Sequence, residues 1–186
     1  MNWQPVFEQA LSYKAFLERY CDPLRDLQRW QTVYDQVVLT EAQRTLLGGF
    51  VRVMRVLCLT GAWCGDCVGQ CPVFQRIAEA ANGKIDLRFI DRDDHPDVAD
   101  ELAICAGKRV PILVFLTEED HECARYGDRT LSRYRQMAAE LGGAACSTGI
   151  TTADQLATVT QEWLNEFERV QHMLRTSARL RELHGD

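Results

Sequence analysis

The chain of 186 residues has no apolar run long enough to cross a bilayer: its longest, Val110 to Leu116, is seven residues against the ~18 that a span requires. Basic blocks are missing as well. The 21 basic residues are outnumbered by 27 acidic ones, for a net charge of −6, and neither sign gathers into a tail. Nucleic acid and anionic membrane surfaces are therefore not expected partners. Met1 to Ala10 lacks a basic stretch followed by an apolar run, which leads to the expectation of a cytoplasmic protein. Internal repeats, low-complexity tracts and Ser/Gly linkers are absent too, so the chain should pack as one body. Its 46% hydrophobic content is too high for disorder and sufficient for a real core, within a length too short for two full domains.

Cysteine, by contrast, is plentiful, with eight in the chain. A secreted disulfide scaffold would be shorter and rich in loops. Cys21, Cys58, Cys105, Cys123 and Cys146 stand alone, whereas Cys64, Cys67 and Cys71 fall within eight residues.

Periodicity predicts helices over much of the first fifty residues. Val6, Phe7, Ala10 and Leu11 recur at helical spacing, Asp22-Pro23 offers a cap before a first-turn proline, and Leu24, Leu27, Tyr34 and Val37 or Val38 make an apolar face. Thr40 and Gln43 form a capping-box pair for a short helix ended by Gly48-Gly49. Val51 to Thr60 reads as a strand buried on both faces, Ile85 to Ile90 as a second, with a helix over Cys67 to Ala81 between them. A helix follows at Pro96 to Ala106, then a strand at Ile112 to Leu116 and an antiparallel partner at His121 to Tyr126. A helix through Tyr134 to Leu141 is interrupted by Gly142-Gly143. Thr152 and Gln155 open a last helix bearing Leu156, Val159, Trp163, Phe167, Val170 and Leu174 at steps of three and four. The expected architecture is α/β, a central mixed sheet flanked by helices. Residues 1–50 form an N-terminal helical extension, 51–145 the sheet-bearing domain, and 150–186 a C-terminal helical extension packing on the same body.

Trp63-Cys64-Gly65-Asp66-Cys67 lies between a buried strand and a helix start, the context in which a Cys-x-x-Cys pair reads as redox-active. A sulfur at the first turn faces unpaired N–H groups and the positive end of the macrodipole, which favour thiolate. Cys64 is thus expected to be the more acidic and more exposed thiol and the nucleophile. Cys67, one turn deeper, can attack the resulting mixed disulfide.

These residues resemble the Trp-Cys-Gly-x-Cys signature of the thioredoxin superfamily, over roughly Val51 to Leu141. Pro72 matches the proline that kinks that family's active-site helix, and Val110-Pro111 matches its cis-proline. The resemblance implies a thioredoxin-like fold and a protein-disulfide reductase with Cys64 and Cys67 catalytic. It also implies a cis Val110-Pro111 bond facing the disulfide, where an extended substrate pairs, so Trp63, Gly65, Asp66, Val110 and Pro111 are the expected substrate-binding residues. No bound cofactor is implied beyond the Cys64-Cys67 disulfide. The implied partners are disulfide-containing proteins and a separate electron donor of the thioredoxin-reductase type. Two positions depart from the pattern. Asp66 stands where thioredoxin has proline and adds a negative charge near both sulfurs. Cys58 replaces a buried aspartate that assists proton transfer, so that relay is missing or rerouted.

Other readings compete. Cys64, Cys67 and Cys71 share a helix face and, with Cys58 or Cys105, could ligate zinc or an iron–sulfur cluster. The body could also serve as a binding or adaptor module with little turnover. Cys71 reads as a core filler or a backup resolving thiol. Asp91, Asp93 and Asp94 with His95 read as a solvated loop.

Overall fold

The computed structural model describes residues 1–141 and 152–185. The Gly142-Gly143 interruption, Cys146 and the expected boundary near 145–150 lie outside these residues.

Four helices precede the sheet: α1 (Gln4–Gln9), α2 (Tyr13–Tyr20), α3 (Asp26–Gln36) and α4 (Glu41–Gly48). The Thr40/Gln43 capping box starts α4, and Gly49 caps its end. Asp22 does not open a helix directly. Its carboxylate accepts from the Leu24 and Arg25 N–H groups in a turn, and α3 begins after that turn. The apolar face of α3 is correspondingly different from the one expected: Trp30 and Val33 are buried with Val37 beyond them, while Leu24 is 91% exposed and Val38 also faces out. Helical phase runs from Asp26, so residues in the turn do not share it.

Strands β1 (Met54–Thr60), β2 (Ile85–Asp91), β3 (Ile112–Leu116) and β4 (Glu122–Gly127) form one sheet in the order β2-β1-β3-β4. β1 runs parallel to β2 and antiparallel to β3, and β3 is antiparallel to β4. The central pair β1 and β3 is buried on both faces, which explains their unbroken apolar runs. Between β1 and β2, α5 (Gly65–Ala80) makes the crossover. Leu11 adds a single antiparallel bridge to Phe89 on the outer edge of β2.

The helix expected at Pro96 to Ala106 is shorter, α6 (Pro96–Glu101), because Ile104 and Gly107 pair in a tight bridge with Cys105 and Ala106 at positive φ between them. After β4 comes α7 (Leu131–Ala139), then α8 (Ala153–Thr176) and α9 (Ala178–His184). All six apolar residues named for the last long helix are buried, and they extend the core: Phe74 meets Trp163 edge-to-face, and Phe115 meets Phe167 likewise. A Ser177 cap starts α9, which the sequence pattern did not suggest. Among the described residues no helix is long and apolar enough to cross a membrane.

Candidate active site

β1 ends at Thr60, the chain turns through Gly61, Ala62 and Trp63, and α5 starts at Gly65 with Cys64 as its N-cap in an extended conformation. The turn is braced by the N-terminal helices, since the fully buried Trp30 donates its indole N–H to the Ala62 carbonyl at 3.0 Å. Cys64 is half-buried and Cys67 fully buried. Trp63, expected at the binding surface, is 45% exposed. Its ring is covered on one side by the Arg92 guanidinium, 4.5 Å from the centroid.

The Val110-Pro111 peptide bond is cis. It reaches the motif through the Val110 carbonyl, which lies 3.8 Å from Cys64 Sγ. β4 closes tightly behind it: a Cβ on Gly127 would stand 2.7 Å from the Pro111 carbonyl oxygen, so only glycine fits there. The next bond, Gly127-Asp128, is also cis.

That close approach delivers a group of charges no local pattern announced. Arg129 pairs through one guanidinium nitrogen with the Asp66 carboxylate and through the other with Asp128 at 2.6 Å. Tyr134 donates its hydroxyl to Asp128, and Arg109 stands 3.6 Å from the same carboxylate. Asp128 is 1% exposed, Asp66 12% and Arg129 19% as side chains. The Asp66 charge is therefore matched rather than left free beside the sulfurs. Gln70 ties the loop down by donating to the backbone carbonyls of Asp66 and Asp128 and accepting the Trp163 indole N–H at 2.9 Å.

The expectation of an acidic Cys64 thiol is not met by its surroundings. Hydrogen bonding with the Cys67 thiol pushes Cys64 up, burial adds to this, and the Cys67 N–H opposes it. Cys67 is pushed up too, chiefly by burial. Cys58, at the position where the thioredoxin resemblance has a proton-relay aspartate, lies against Cys71, and Cys71 meets the buried Thr60 hydroxyl at 3.3 Å. Thr60 and Cys71 both act on Cys67.

The thiolate-metal reading finds no support in this arrangement. Among the described residues, the metal-type donors that converge within 4.8 Å of one another are Glu118, Glu119 and His184, not any three cysteines. Those carboxylates are already engaged by Arg52 and Arg179. The loop expected to be solvated is instead tied down: Asp91 is buried and accepts the Asp93 N–H, His95 bonds the Asp91 carbonyl, and Asp94 accepts the Tyr20 hydroxyl of α2 at 2.6 Å. A cavity of about 750 Å³ lined by Tyr13, Leu17, Tyr34, Glu79 and Leu87 lies apart from the motif.

Of the expected site residues, Trp63, Cys64, Gly65, Asp66 and Cys67 are contiguous, and Val110-Pro111 is brought to them. Sequence reasoning missed Arg92, Arg109, Asp128, Arg129 and Tyr134. The only available signal was the Gly127-Asp128-Arg129 triplet directly after a strand.

Among solved structures the chain is similar to a protein of unknown function from Pseudomonas aeruginosa, with 17% identity, a TM-score of 0.71 and coverage of 91% of this chain and 99% of that one. It is also similar to an HIV epitope scaffold, with 18% identity, a TM-score of 0.68 and coverage of 96% and 100%. Mitochondrial thioredoxin 3 from Saccharomyces cerevisiae, in its oxidised form, matches at 18% identity and a TM-score of 0.36 over 58% of this chain and 98% of that one. No curated protein matches the sequence significantly. The family model described as Thioredoxin matches residues 10–141. That span starts well before Val51, so it takes in most of what the sequence reading set apart as an extension, and by this match the chain belongs to that thioredoxin family.

Proposed function

We propose that the protein is a thiol–disulfide oxidoreductase that reduces protein disulfides through Cys64 and Cys67. The observation that carries this reading is the placement of Cys64: half-buried at the mouth of α5, with Sγ 3.8 Å from the carbonyl that precedes cis-Pro111. An extended segment docked along the Val110 edge presents its disulfide to that sulfur. Trp63, Gly65 and Asp66 form the adjoining surface.

Cys64, as thiolate, attacks one substrate sulfur; the substrate S–S bond breaks, and the departing thiolate takes a proton. Cys67 then gives up its proton and attacks the Cys64 sulfur, releasing the second substrate thiol and leaving a Cys64-Cys67 disulfide. A separate donor returns two electrons, and no bound cofactor is needed. The buried Thr60 hydroxyl, which acts on Cys67, is the group that relays the Cys67 proton in the core.

The direction follows from the thiols. A sulfur that holds its proton gains little from ionisation, and a dithiol whose thiolate is not stabilised gives up electrons readily. The raised Cys64 and Cys67 thiols thus favour reduction of the substrate. The reducing compartment expected from the sequence favours the same direction.

Cys67→Ser should accumulate mixed disulfides through Cys64, and the wild-type chain should reduce a disulfide-bridged test protein when a chemical dithiol supplies electrons. Absence of both the trapped species and the reduction would remove this reading.

A further inference from the structure

Two buried thiols are left over by the reaction above. Cys58 on β1 and Cys71 on α5 lie with their Sγ atoms 3.9 Å apart, both fully buried. That is non-bonded contact between sulfurs, and side-chain rotation is the motion that would close it toward a bond of about 2.05 Å. Cys71 also stands one helical turn from Cys67. Helix geometry puts Cα atoms four residues apart at about 6 Å, inside the roughly 4.4–6.8 Å that disulfides span. Pro72 lies inside this helix and has no N–H, so the Val68 carbonyl lacks its helical partner. The turn that carries Cys67 and Cys71 is therefore free to give. The sulfurs make a file from surface to core: Cys64, Cys67, Cys71, Cys58.

We infer that Cys58 and Cys71 are a second, internal dithiol that reduces the Cys64-Cys67 disulfide by exchange along this file. The inference rests on the redox reading above. After one substrate has been reduced, Cys71 attacks Cys67; the Cys64-Cys67 bond breaks, a Cys67-Cys71 bond forms, and the Cys71 proton ends on Cys64. Cys58 then attacks Cys71; the Cys67-Cys71 bond breaks, a Cys58-Cys71 bond forms, and the Cys58 proton ends on Cys67. Two electrons have moved outward and no proton is gained or lost. The active-site pair is again a dithiol, ready for a second substrate, before any donor has acted. Burial shapes this pair's access: neither sulfur meets solvent, so oxidants and reductants reach it only through Cys67.

The test uses fully reduced full-length protein, freed of reductant, in a Cys105→Ser background because Cys105 is exposed. It is mixed with excess disulfide-bridged fluorescent peptide and no electron donor. Two peptides should be reduced per chain, falling to one in Cys58→Ala and in Cys71→Ala. After acid quenching, peptide mapping of the protein with native Cys58 and Cys71 should find a Cys58-Cys71 bridge, a readout that does not depend on either alanine variant folding. One peptide per chain with only Cys64-Cys67 bridged would overturn the inference and leave the active-site reading standing. No peptide reduced and no bridge formed would overturn both.

Discussion

Arg129→Ala should slow the nucleophile by leaving the Asp66 carboxylate without its partner. In the folded protein the pair is largely withdrawn from water, with 12% and 19% of the two side chains exposed. Removing one member of a buried ion pair costs about 3–5 kcal/mol. The lower end applies here, because Asp66 keeps the favourable first-turn position of α5. At ~2–4 °C per kcal/mol for a chain of this size, a loss of about 3 kcal/mol lowers Tm by roughly 6–12 °C. The chemical effect is separate. An unmatched negative charge beside a thiol disfavours its thiolate, and ~1.4 kcal/mol of repulsion cuts the thiolate fraction at neutral pH on the order of tenfold. Nucleophilicity rises with basicity and returns about threefold of that, so alkylation of Cys64 by iodoacetamide should fall about threefold. Asp66→Asn should move the rate the opposite way, and the double variant should return near wild type. The assay is the Cys64 alkylation rate from pH 6 to 9, followed by mass spectrometry. A wild-type rate profile in Arg129→Ala would refute the electrostatic argument, whatever happens to Tm.

Three further outcomes are expected. Burial pushes Cys21 up to about 12 and Cys123 up to about 11, and raises Cys58, Cys67 and Cys71 as well. The folded chain therefore binds more protons than the unfolded one above the ordinary thiol pKa of about 8.5, and stability is lost as pH rises beyond it; a Tm of the reduced protein that stays level to pH 10.5 would contradict this. Thr60→Val removes the hydroxyl facing Cys71 and Cys67. It should cost about 1 kcal/mol and prolong the mixed disulfide on Cys64, seen as a slower second phase in stopped-flow reduction of a bridged peptide; unchanged phases would exclude Thr60 from resolution. Ending the chain before Thr152 uncovers Phe74 and Phe115 on the faces that α8 buries. That variant should aggregate or bind a hydrophobic dye, and a monomeric, cooperatively melting product would show that α8 is dispensable to the core.

Much of the fold was legible because it is written in local patterns. The apolar run of Ile112 to Leu116, the capping boxes at Thr40 and Thr152 and the stripe from Leu156 to Leu174 each encode their element within one continuous stretch of chain. The placing of Cys64 and Cys67 at the start of α5 and the cis bond before Pro111 were legible for a similar reason, since their neighbours carry the signal. The ion-pair group was not: Asp66 meets Arg129 across 63 positions, and neither residue has a periodicity that points to the other. The exposure of Leu24 escaped for a different reason. Apolar spacing was extended through a turn that resets the helical phase, and the Asp22 side chain closes that turn before α3 begins.

Trp63 gives the protein an optical consequence. Its indole, adjacent to Cys64 in the chain, is 45% exposed with Arg92 over one face, whereas Trp3, Trp30 and Trp163 are sealed in the core. Sulfur close to an indole quenches its emission to a degree that depends on whether it is thiol or disulfide. A red-shifted component belonging to this one ring should therefore follow every turnover without a dye, and Trp63→Phe should silence it while the blue-shifted emission of the other three persists.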